Sequence, residues 1–389
     1  MLSRIHRLWF FLLLALIGLS CAPSDESRSS ANDPVDDDEA RVNPLPAPKT
    51  INEPPKDRID KVLDHIRKRE LRTDNGFWTI FHGILGMGPD EAMLLDPQTG
   101  THTKAIDYLA GGNEVRGLEF RPTADGVEVE TMAGSIIGQG HQDQFVAEMA
   151  EWDLPKDKKF KVDGRDYTFE DFIRQAEAHA SLTTKSTPGP DPLELTWTIV
   201  IVSKYYGPDH RWTNNRGEKL SVEDLARYEL GQPIADSPVC GGTHRLFGLT
   251  WAYYLHRQAG GKKEGIWKQV ADTITDYENR AHQFQNPDGS FSTDYLKSPG
   301  DDRNIQLRLA TSGHIFEWLA LAMTNDELQQ PWVQKAAEAL TTMILENMDR
   351  SLDSGALYHA AHGLEMYRAR LWGPPGNHKL PIPPPPKES

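Results

Sequence analysis

Cysteines and basic residues are scarce in this chain of 389 residues. Two cysteines are too few for a scaffold held together by several disulfide bonds. The 42 lysines and arginines are outnumbered by 57 aspartates and glutamates, which leaves a formal net charge of −15. Because a protein needs a basic surface to bind phosphate backbones, this balance argues against a nucleic-acid partner. The remaining composition, 38% hydrophobic and 25% charged, is that of a soluble globular protein with one large or two smaller domains.

The N-terminal segment has the pattern of a secretory signal peptide. Arg4 and Arg7 precede an apolar run from Leu8 to Leu19, which is too short to span a bilayer as a helix. We therefore predict that residues 1–20 direct secretion across the inner membrane and do not belong to the folded protein.

The residues that end this run resemble the lipobox of bacterial lipoproteins. Ser20 stands directly before Cys21, and in that family the cysteine becomes the lipidated first residue. Gly18 replaces the usual aliphatic residue, so a plain secretory signal remains the alternative. The resemblance implies a lipid anchor at Cys21 that attaches the protein to a membrane of the cell envelope. Ala22 is similar to the residue that follows the cysteine in lipoproteins of the outer membrane or its periplasmic face.

Proline is enriched at both ends of the remaining chain, and acidic residues are enriched at the first of them. Residues 21–57 include the run Asp36-Asp37-Asp38-Glu39 and have too little apolar surface to fold, so we predict a disordered tether. Residues 374–389 contain Pro383 to Pro386, which predicts a stiff polyproline tail. The folded part is therefore predicted to be one domain over residues 58–373.

Within residues 58–373 the chain repeats itself weakly. Residues 163–172 parallel residues 216–225, and in each a hydroxyl residue, Thr168 or Ser221, lies three positions before an aspartate. This spacing predicts a capped helix start. Charged amphipathic stretches near 58–72, 168–181, 221–232, 265–285 and 329–348 alternate with apolar, aromatic-rich stretches near 77–86, 141–151, 193–206, 243–258, 311–323 and 356–371. We predict an all-α fold of about six helix pairs, with the apolar helices inside the amphipathic ones.

One segment interrupts this helical pattern. Residues 115–132 contain two short alternating stretches around a turn at Ala124-Asp125-Gly126, which predicts a small β-hairpin insertion. A helical-repeat solenoid or a helix bundle remains the alternative to a closed arrangement of the helices.

The segment from Gln285 to Phe291, Gln-Asn-Pro-Asp-Gly-Ser-Phe, resembles the QW repeat of squalene–hopene cyclases and their prenyltransferase relatives. Asp74 to Trp78 resembles a second, degraded copy. In that terpenoid cyclase-like superfamily the motif joins an outer helix to an inner helix, so the resemblance implies an α/α toroid. The acid cluster of the cyclases, Asp-x-Asp-Asp, is comparable here only to Asp36 to Asp38 in the predicted tether, which disfavours an isoprenoid-related role.

Two other chemistries of α/α toroids also lack their residues in this chain. Protein prenyltransferase β subunits hold zinc through Asp, Cys and His, but Asp236 and Cys240 are four residues apart instead of two. Complement-like thioester domains carry Cys-Gly-Glu-Gln, whereas the segment here is Cys240-Gly241-Gly242-Thr243. The resemblance therefore implies a fold and no reaction.

Small-residue turns and histidines mark the starts of several apolar stretches. Such histidines face whatever cavity the inner helices enclose, where they hydrogen-bond a ligand or simply cap loops. The residues predicted to line the mouth of this cavity are His141, His244, His314 and His362. The ligand class is open, with carbohydrate among the candidates. No cofactor is expected, although Cys240 with His244, His314 and His362 is the alternative of a tetrahedral zinc site.

Two further patterns suggest catalytic side chains. Cys240 lies at a helix start that favours a thiolate, with His244 one turn on, which is typical of a nucleophile pair. The alternative is a small buried cysteine under the Gly241-Gly242 turn. A repeated His-x-x-Glu, His314 with Glu317 and His362 with Glu365, places an acid and a base on one helix face.

The sequence leaves three functions open. One is a secreted, lipid-anchored protein that binds a ligand at the mouth of its lumen, with an unknown reaction. Another is a glycan-active lyase or hydrolase, because glycan-cleaving enzymes with α/α toroids line their clefts with His, Glu and aromatic residues. The third is a non-catalytic binding or scaffold protein of the cell envelope.

Overall fold

The computed structural model describes residues 55–132, 138–183, 194–237 and 240–374. The predicted signal peptide, its lipidation site Cys21, nearly all of the predicted tether and nearly all of the C-terminal tail lie outside these ranges. Among the described residues, no helix combines the length and the apolar character that crossing a membrane requires.

Helices account for most of the described chain. They are α1 Pro55–Arg67, α2 Phe77–Met87, α3 Ala105–Ala110, α4 Gln144–Glu151, α5 Phe169–His179, α6 Thr196–Tyr205, α7 Val222–Leu230, α8 Thr243–Gln258, α9 Gly265–Gln283, α10 Ile305–Ala322, α11 Asn325–Leu328, α12 Pro331–Glu346 and α13 Ser354–Trp372. Helices therefore occur at every stretch where the alternating pattern predicts one.

The apolar helices form a ring. Helices α2, α4, α6, α8, α10 and α13 contact one another in that order, and α13 returns to contact α2. The amphipathic helices α1, α3, α5, α7, α9 and α12 pack against the outside of this ring. In α10 every residue from Arg308 to Ala322 is buried, whereas α9 buries six of its nineteen residues. A helix buried on all sides has no polar face, which explains why the ring helices show little amphipathic periodicity.

The prediction of an all-α fold is wrong. The structure is 54% helical and 10% strand, and the strands form four small sheets. The strands are β1 Leu71–Arg72, β2 Ala92–Asp96, β3 Thr101–Lys104, β4 Phe120–Pro122, β5 Val127–Val129, β6 Lys159–Val162, β7 Arg165–Thr168, β8 Arg211–Thr213 and β9 Lys219–Ser221. The one hairpin predicted within residues 115–132 is β4 and β5, which pair antiparallel.

The other sheets escaped prediction because their strands are two to five residues long. Strands β1 and β2 are parallel, β2 and β3 antiparallel, and the pairs β6–β7 and β8–β9 are hairpins. Asp163 and Gly164 form the two-residue turn of β6–β7 and both have positive φ, 50° and 75°. An Asp-Gly pair between short strands is a strong hairpin signal, and here it was interpreted only as part of a helix start.

The weak internal repeat is a hairpin that runs directly into a capped helix. Strand β7 leads into α5, where the Asp171 carboxylate accepts a hydrogen bond of 2.7 Å from the Thr168 amide. Strand β9 leads into α7, where the Asp224 amide donates to the Ser221 hydroxyl at 3.1 Å. The predicted caps are therefore confirmed.

The segment 285–291 lies in the connection between the outer helix α9 and the ring helix α10. The Gln285 side chain donates to the backbone oxygens of Gly289 and Trp332, both at 2.9 Å. Phe291 is buried, with its ring centroid 6.3 Å from that of Trp332 at the start of α12. The segment therefore ties one helix pair to the next.

Candidate functional site

Histidines from five ring elements converge inside the ring. The His141 and His244 ring centroids are 5.0 Å apart, those of His244 and His314 are 5.5 Å apart, and those of His314 and His359 are 4.0 Å apart. Glutamates from α4, α10 and the residues before α6 surround them. We call this group the chamber, and its members are His82, His141, Glu148, Glu151, Glu194, His244, His314, Glu317, His359 and His362.

Glu317 orients two of these histidines. Its two carboxylate oxygens each accept a hydrogen bond of 2.7 Å, one from His359 Nδ1 and the other from His362 Nδ1. Burial raises the pKa of Glu317, but the charge of His359 and the hydrogen bonds from both imidazoles outweigh it and hold the pKa well below its usual range. Glu317 is therefore an anion that fixes two rings and leaves both Nε2 atoms for other partners.

Backbone carbonyls fix two more rings in the same way. His82 Nδ1 lies 2.8 Å from the Trp78 oxygen, and His314 Nδ1 lies 2.7 Å from the Ala310 oxygen. A carbonyl only accepts, so each Nδ1 carries the hydrogen and each Nε2 presents its lone pair. Burial, followed by the charge of His359, lowers the pKa of both imidazoles well below the usual value. Both are neutral bases.

Two buried glutamates on α4 lie beside imidazoles: His82 Nε2 is 3.9 Å from Glu148 Oε1, and His362 Nδ1 is 3.8 Å from Glu151 Oε2. For Glu148 and Glu151, burial and then the neighbouring Glu317 charge raise the pKa well above the usual value. Glu148 Oε2 is buried without a hydrogen bond. These side chains favour the protonated state and would gain from a nearby positive charge.

The mouth of the chamber is built from a second His–Glu–His group. We call His141, Glu194 and His244 the mouth cluster, because the side chains of His141 and Glu194 are 15% and 12% exposed. His141 Nδ1 is 3.1 Å from one Glu194 oxygen, and His244 Nδ1 is 3.6 Å from the other. Burial raises the pKa of Glu194, but His141 and His244 outweigh it and hold the pKa well below its usual range.

His244 and its neighbour Trp197 carry polar atoms that are not satisfied. Neither ring nitrogen of His244 makes a hydrogen bond, and Trp197 Nε1 also lacks one. Burial lowers the pKa of His244, and the Glu194 carboxylate opposes that shift. A small cavity with room for about one water molecule, partly open to solvent, adjoins both side chains. Its lining residues are Leu85, Glu148, Glu151, Trp197, Thr243, His244, Phe247, His314, Glu317 and His359.

Most of the site residues named from the sequence lie in the chamber. His244, His314, Glu317 and His362 meet there together with His141. Glu365 does not, because its side chain points out of the ring toward α1 and lies 3.5 Å from Arg67. Burial raises the pKa of Glu365 to about 7. The second His-x-x-Glu repeat therefore forms no acid–base pair inside the ring.

Cys240 lies beside the chamber in a 3-10 turn that precedes α8. Its sulfur is within 4.8 Å of one ring nitrogen each of His244 and His314. Cys240 is buried, and the nucleophile pair that the sequence indicates at Cys240 and His244 stays a prediction.

Five members of the chamber were missed as site residues: His82, Glu148, Glu151, Glu194 and His359. Glu148 and Glu151 are three residues apart on a helix that is buried throughout, and acids at that spacing in an apolar helix are a usable signal. His359 and His362 have the same spacing on α13. Glu194 comes just before α6, and no sequence pattern marks it.

The comparisons with known proteins add no precedent for this chamber. No family model matches the chain, and neither a curated protein nor a solved structure does. The function is therefore inferred from the geometry of the chamber itself.

Proposed function

We propose that this protein is an enzyme that acts on a hydroxyl-rich, carbohydrate-like substrate at the mouth cluster. The observation that supports this is an ionised carboxylate, Glu194, between two imidazoles at the point where the chamber meets solvent. A carboxylate beside a neutral imidazole is a suitable arrangement for general acid–base catalysis.

The roles follow from the contacts. His244 is buried, is not hydrogen-bonded and adjoins the cavity, so it accepts a proton from the substrate through a ring nitrogen. Glu194 stabilises the imidazolium that results, as the aspartate of a catalytic triad does for its histidine. His141, which is partly exposed, holds the other Glu194 oxygen in place.

The substrate class follows from the unsatisfied polar atoms. Trp197 Nε1 is a donor, and the ring nitrogens of His244 offer either role. Hydroxyl groups suit this combination of donor and acceptor atoms, because each hydroxyl donates one hydrogen bond and accepts two. The Trp197 ring centroid is 4.8 Å from that of His244, so an aromatic face lies beside the proposed base, as sugar rings require. The predicted secretory signal and lipid anchor are consistent with a substrate in the cell envelope.

The test is a panel of oligosaccharides and polysaccharides incubated with the purified full chain, with product release and binding measured separately. We expect Glu194→Gln and His244→Gln each to lower turnover by about 10²–10⁴-fold. The matched control is His282→Gln, because His282 stacks on Trp332 at the outer surface and should leave turnover unchanged.

Binding without turnover would reject the catalytic proposal and support a non-catalytic binding protein. Neither binding nor turnover across the panel would reject the substrate class as well. Equal losses in His282→Gln and His244→Gln would show a general effect on the fold instead of a role at the mouth.

A further inference from the structure

Deeper in the chamber, His82, Glu148 and His359 form a second group, which we call the deep cluster. Each side chain offers one nitrogen or oxygen, and these three atoms lie within 4.8 Å of one another. His82 Nε2 is 3.9 Å from Glu148 Oε1. Two ligands of one ion, each at about 2.0–2.1 Å, stand at most about 4.2 Å apart, so this pair needs little movement to hold an ion between them.

The surroundings already orient the two imidazoles for metal binding. The Trp78 carbonyl holds His82 through Nδ1, and the Glu317 carboxylate holds His359 through Nδ1. Ligating histidines usually donate their second ring N–H to a carbonyl or carboxylate, which fixes the tautomer and makes the ligating nitrogen more basic. Both histidines therefore present Nε2 as an oriented donor atom.

The charge balance of the chamber also favours a cation. Its described lining residues include acids and histidines, and no lysine or arginine is among them. Glu148 is fully buried, and its Oε2 atom makes no hydrogen bond. A buried carboxylate is costly unless it is paired or coordinates a metal ion.

The side-chain amide of Gln144 lies between the Glu148 and His82 donor atoms. Its Nε2 atom lies 2.9 Å from Glu148 Oε1 and 3.4 Å from His82 Nε2, so the amide hydrogens bridge two lone pairs. Its Oε1 atom is buried and makes no hydrogen bond. A half-turn of the Gln144 amide exchanges its oxygen and nitrogen, and Oε1 then faces the point between Glu148 Oε1 and His82 Nε2. An ion at that point would thus have an additional oxygen ligand available.

We infer that the deep cluster binds one divalent first-row transition-metal ion through His82, Glu148 and His359. Two imidazole nitrogens and a carboxylate oxygen, with a position left toward the cavity, are the ligand set of catalytic zinc sites. The inference goes beyond the proposed reaction at the mouth cluster, and it stands or fails independently of that reaction.

The test is a metal titration of the purified full chain after treatment with a chelator. We expect one equivalent of Zn²⁺ to bind by calorimetry, and one equivalent of Co²⁺ to produce visible absorption bands of a low-coordinate site. Glu317→Gln, which leaves all three ligands in place, should weaken Co²⁺ binding by about 10–100-fold through loss of orientation. Glu148→Gln and His359→Gln should weaken it more.

The matched controls are Glu194→Gln and His141→Asn in the mouth cluster, which should bind Co²⁺ as the wild type does. Binding below one equivalent, or a loss of binding in the mouth variants with none in Glu148→Gln, would overturn the inference. Circular dichroism of each variant identifies one that fails to fold, and Glu317→Gln then provides the test. Because the titration contains no substrate, its failure is separate from a failure of the glycan assay.

Discussion

His244 and Arg245 are neighbours on α8 but face opposite surroundings. Arg245 points out of the ring and forms a buried ion pair with Glu229 on α7, whose other oxygen accepts the Leu195 amide at 2.6 Å. His244 points into the chamber, and neither of its ring nitrogens is hydrogen-bonded. One helix therefore buries a paired charge on its outer side and an unsatisfied base on its inner side.

The same contrast between paired and unsatisfied buried polar groups recurs elsewhere in the described part of the molecule. Between the ring and the outer helices, buried or half-buried arginines meet carboxylates: Arg67 with Glu365, Arg368 with Asp60, and Arg245 with Glu229. In the chamber, the described polar side chains include several with a nitrogen or oxygen atom that makes no hydrogen bond. Paired groups between layers fix how helices dock, whereas unsatisfied groups cost stability and persist where a ligand completes them.

The largest expected effect is the loss of the interlayer ion pair. Arg245→Met leaves Glu229 buried without a counterion, and we expect the free energy of unfolding to fall by about 3–5 kcal/mol above pH 7. Burial raises the pKa of Glu229 to about 7 even with Arg245 present, so the loss should shrink as the pH falls below 7 and the carboxyl protonates. Urea unfolding at several pH values measures this.

The double variant Arg245→Met with Glu229→Gln provides the control, since it removes both charges. We expect it to recover most of the lost stability. If the single variant costs less than about 1 kcal/mol at high pH, the ion pair does not hold α8 against α7 as argued.

In the chamber we expect a substitution to raise the free energy of unfolding instead of lowering it. The folded-state pKa of Glu151 is raised by burial, so ionisation of the unfolded chain destabilises the folded state as the pH rises above the ordinary value near 4.5. Glu151→Gln removes that penalty and should raise the free energy of unfolding by about 1–3 kcal/mol at neutral pH. The gain should vanish below about pH 4, where both states are protonated.

The stability effects of Arg245→Met and Glu151→Gln together test the contrast between the two regions. Removing an ionisable side chain should destabilise the protein between the layers and stabilise it in the chamber. A Glu151→Gln variant that is less stable than wild type at neutral pH would show that the chamber is held together by its charges.

The smallest expected effect concerns the helix cap at the start of α7. Ser221→Ala removes the acceptor of the Asp224 amide and should cost about 1 kcal/mol. Thermal unfolding measures this, with the exposed Ser351→Ala as a control expected to stay within about 0.5 kcal/mol. Cobalt binding should be unchanged in Ser221→Ala, and a changed cobalt affinity would mean that the outer helices control the chamber.

Much of the helical framework was predictable because it depends on local patterns. Apolar runs such as 311–323 and amphipathic runs such as 265–285 predict buried and half-buried helices, and α10 and α9 occupy those positions. The small sheets were not predictable from periodicity, since strands of two to five residues show too few alternations. Asp163-Gly164 was the available signal for one of them.

The two His-x-x-Glu repeats separate what the sequence determined from what only the tertiary structure decided. In both, the spacing of three places histidine and glutamate on neighbouring positions of one helix face. Glu317 on α10 turns toward His359 and His362 on α13, while Glu365 on α13 turns toward Arg67 on α1. Local spacing determined that each residue lies on a helix beside its partner. Which glutamate faces the chamber depends on how each helix is rotated against its neighbours, and that rotation is set by packing between residues far apart in the chain.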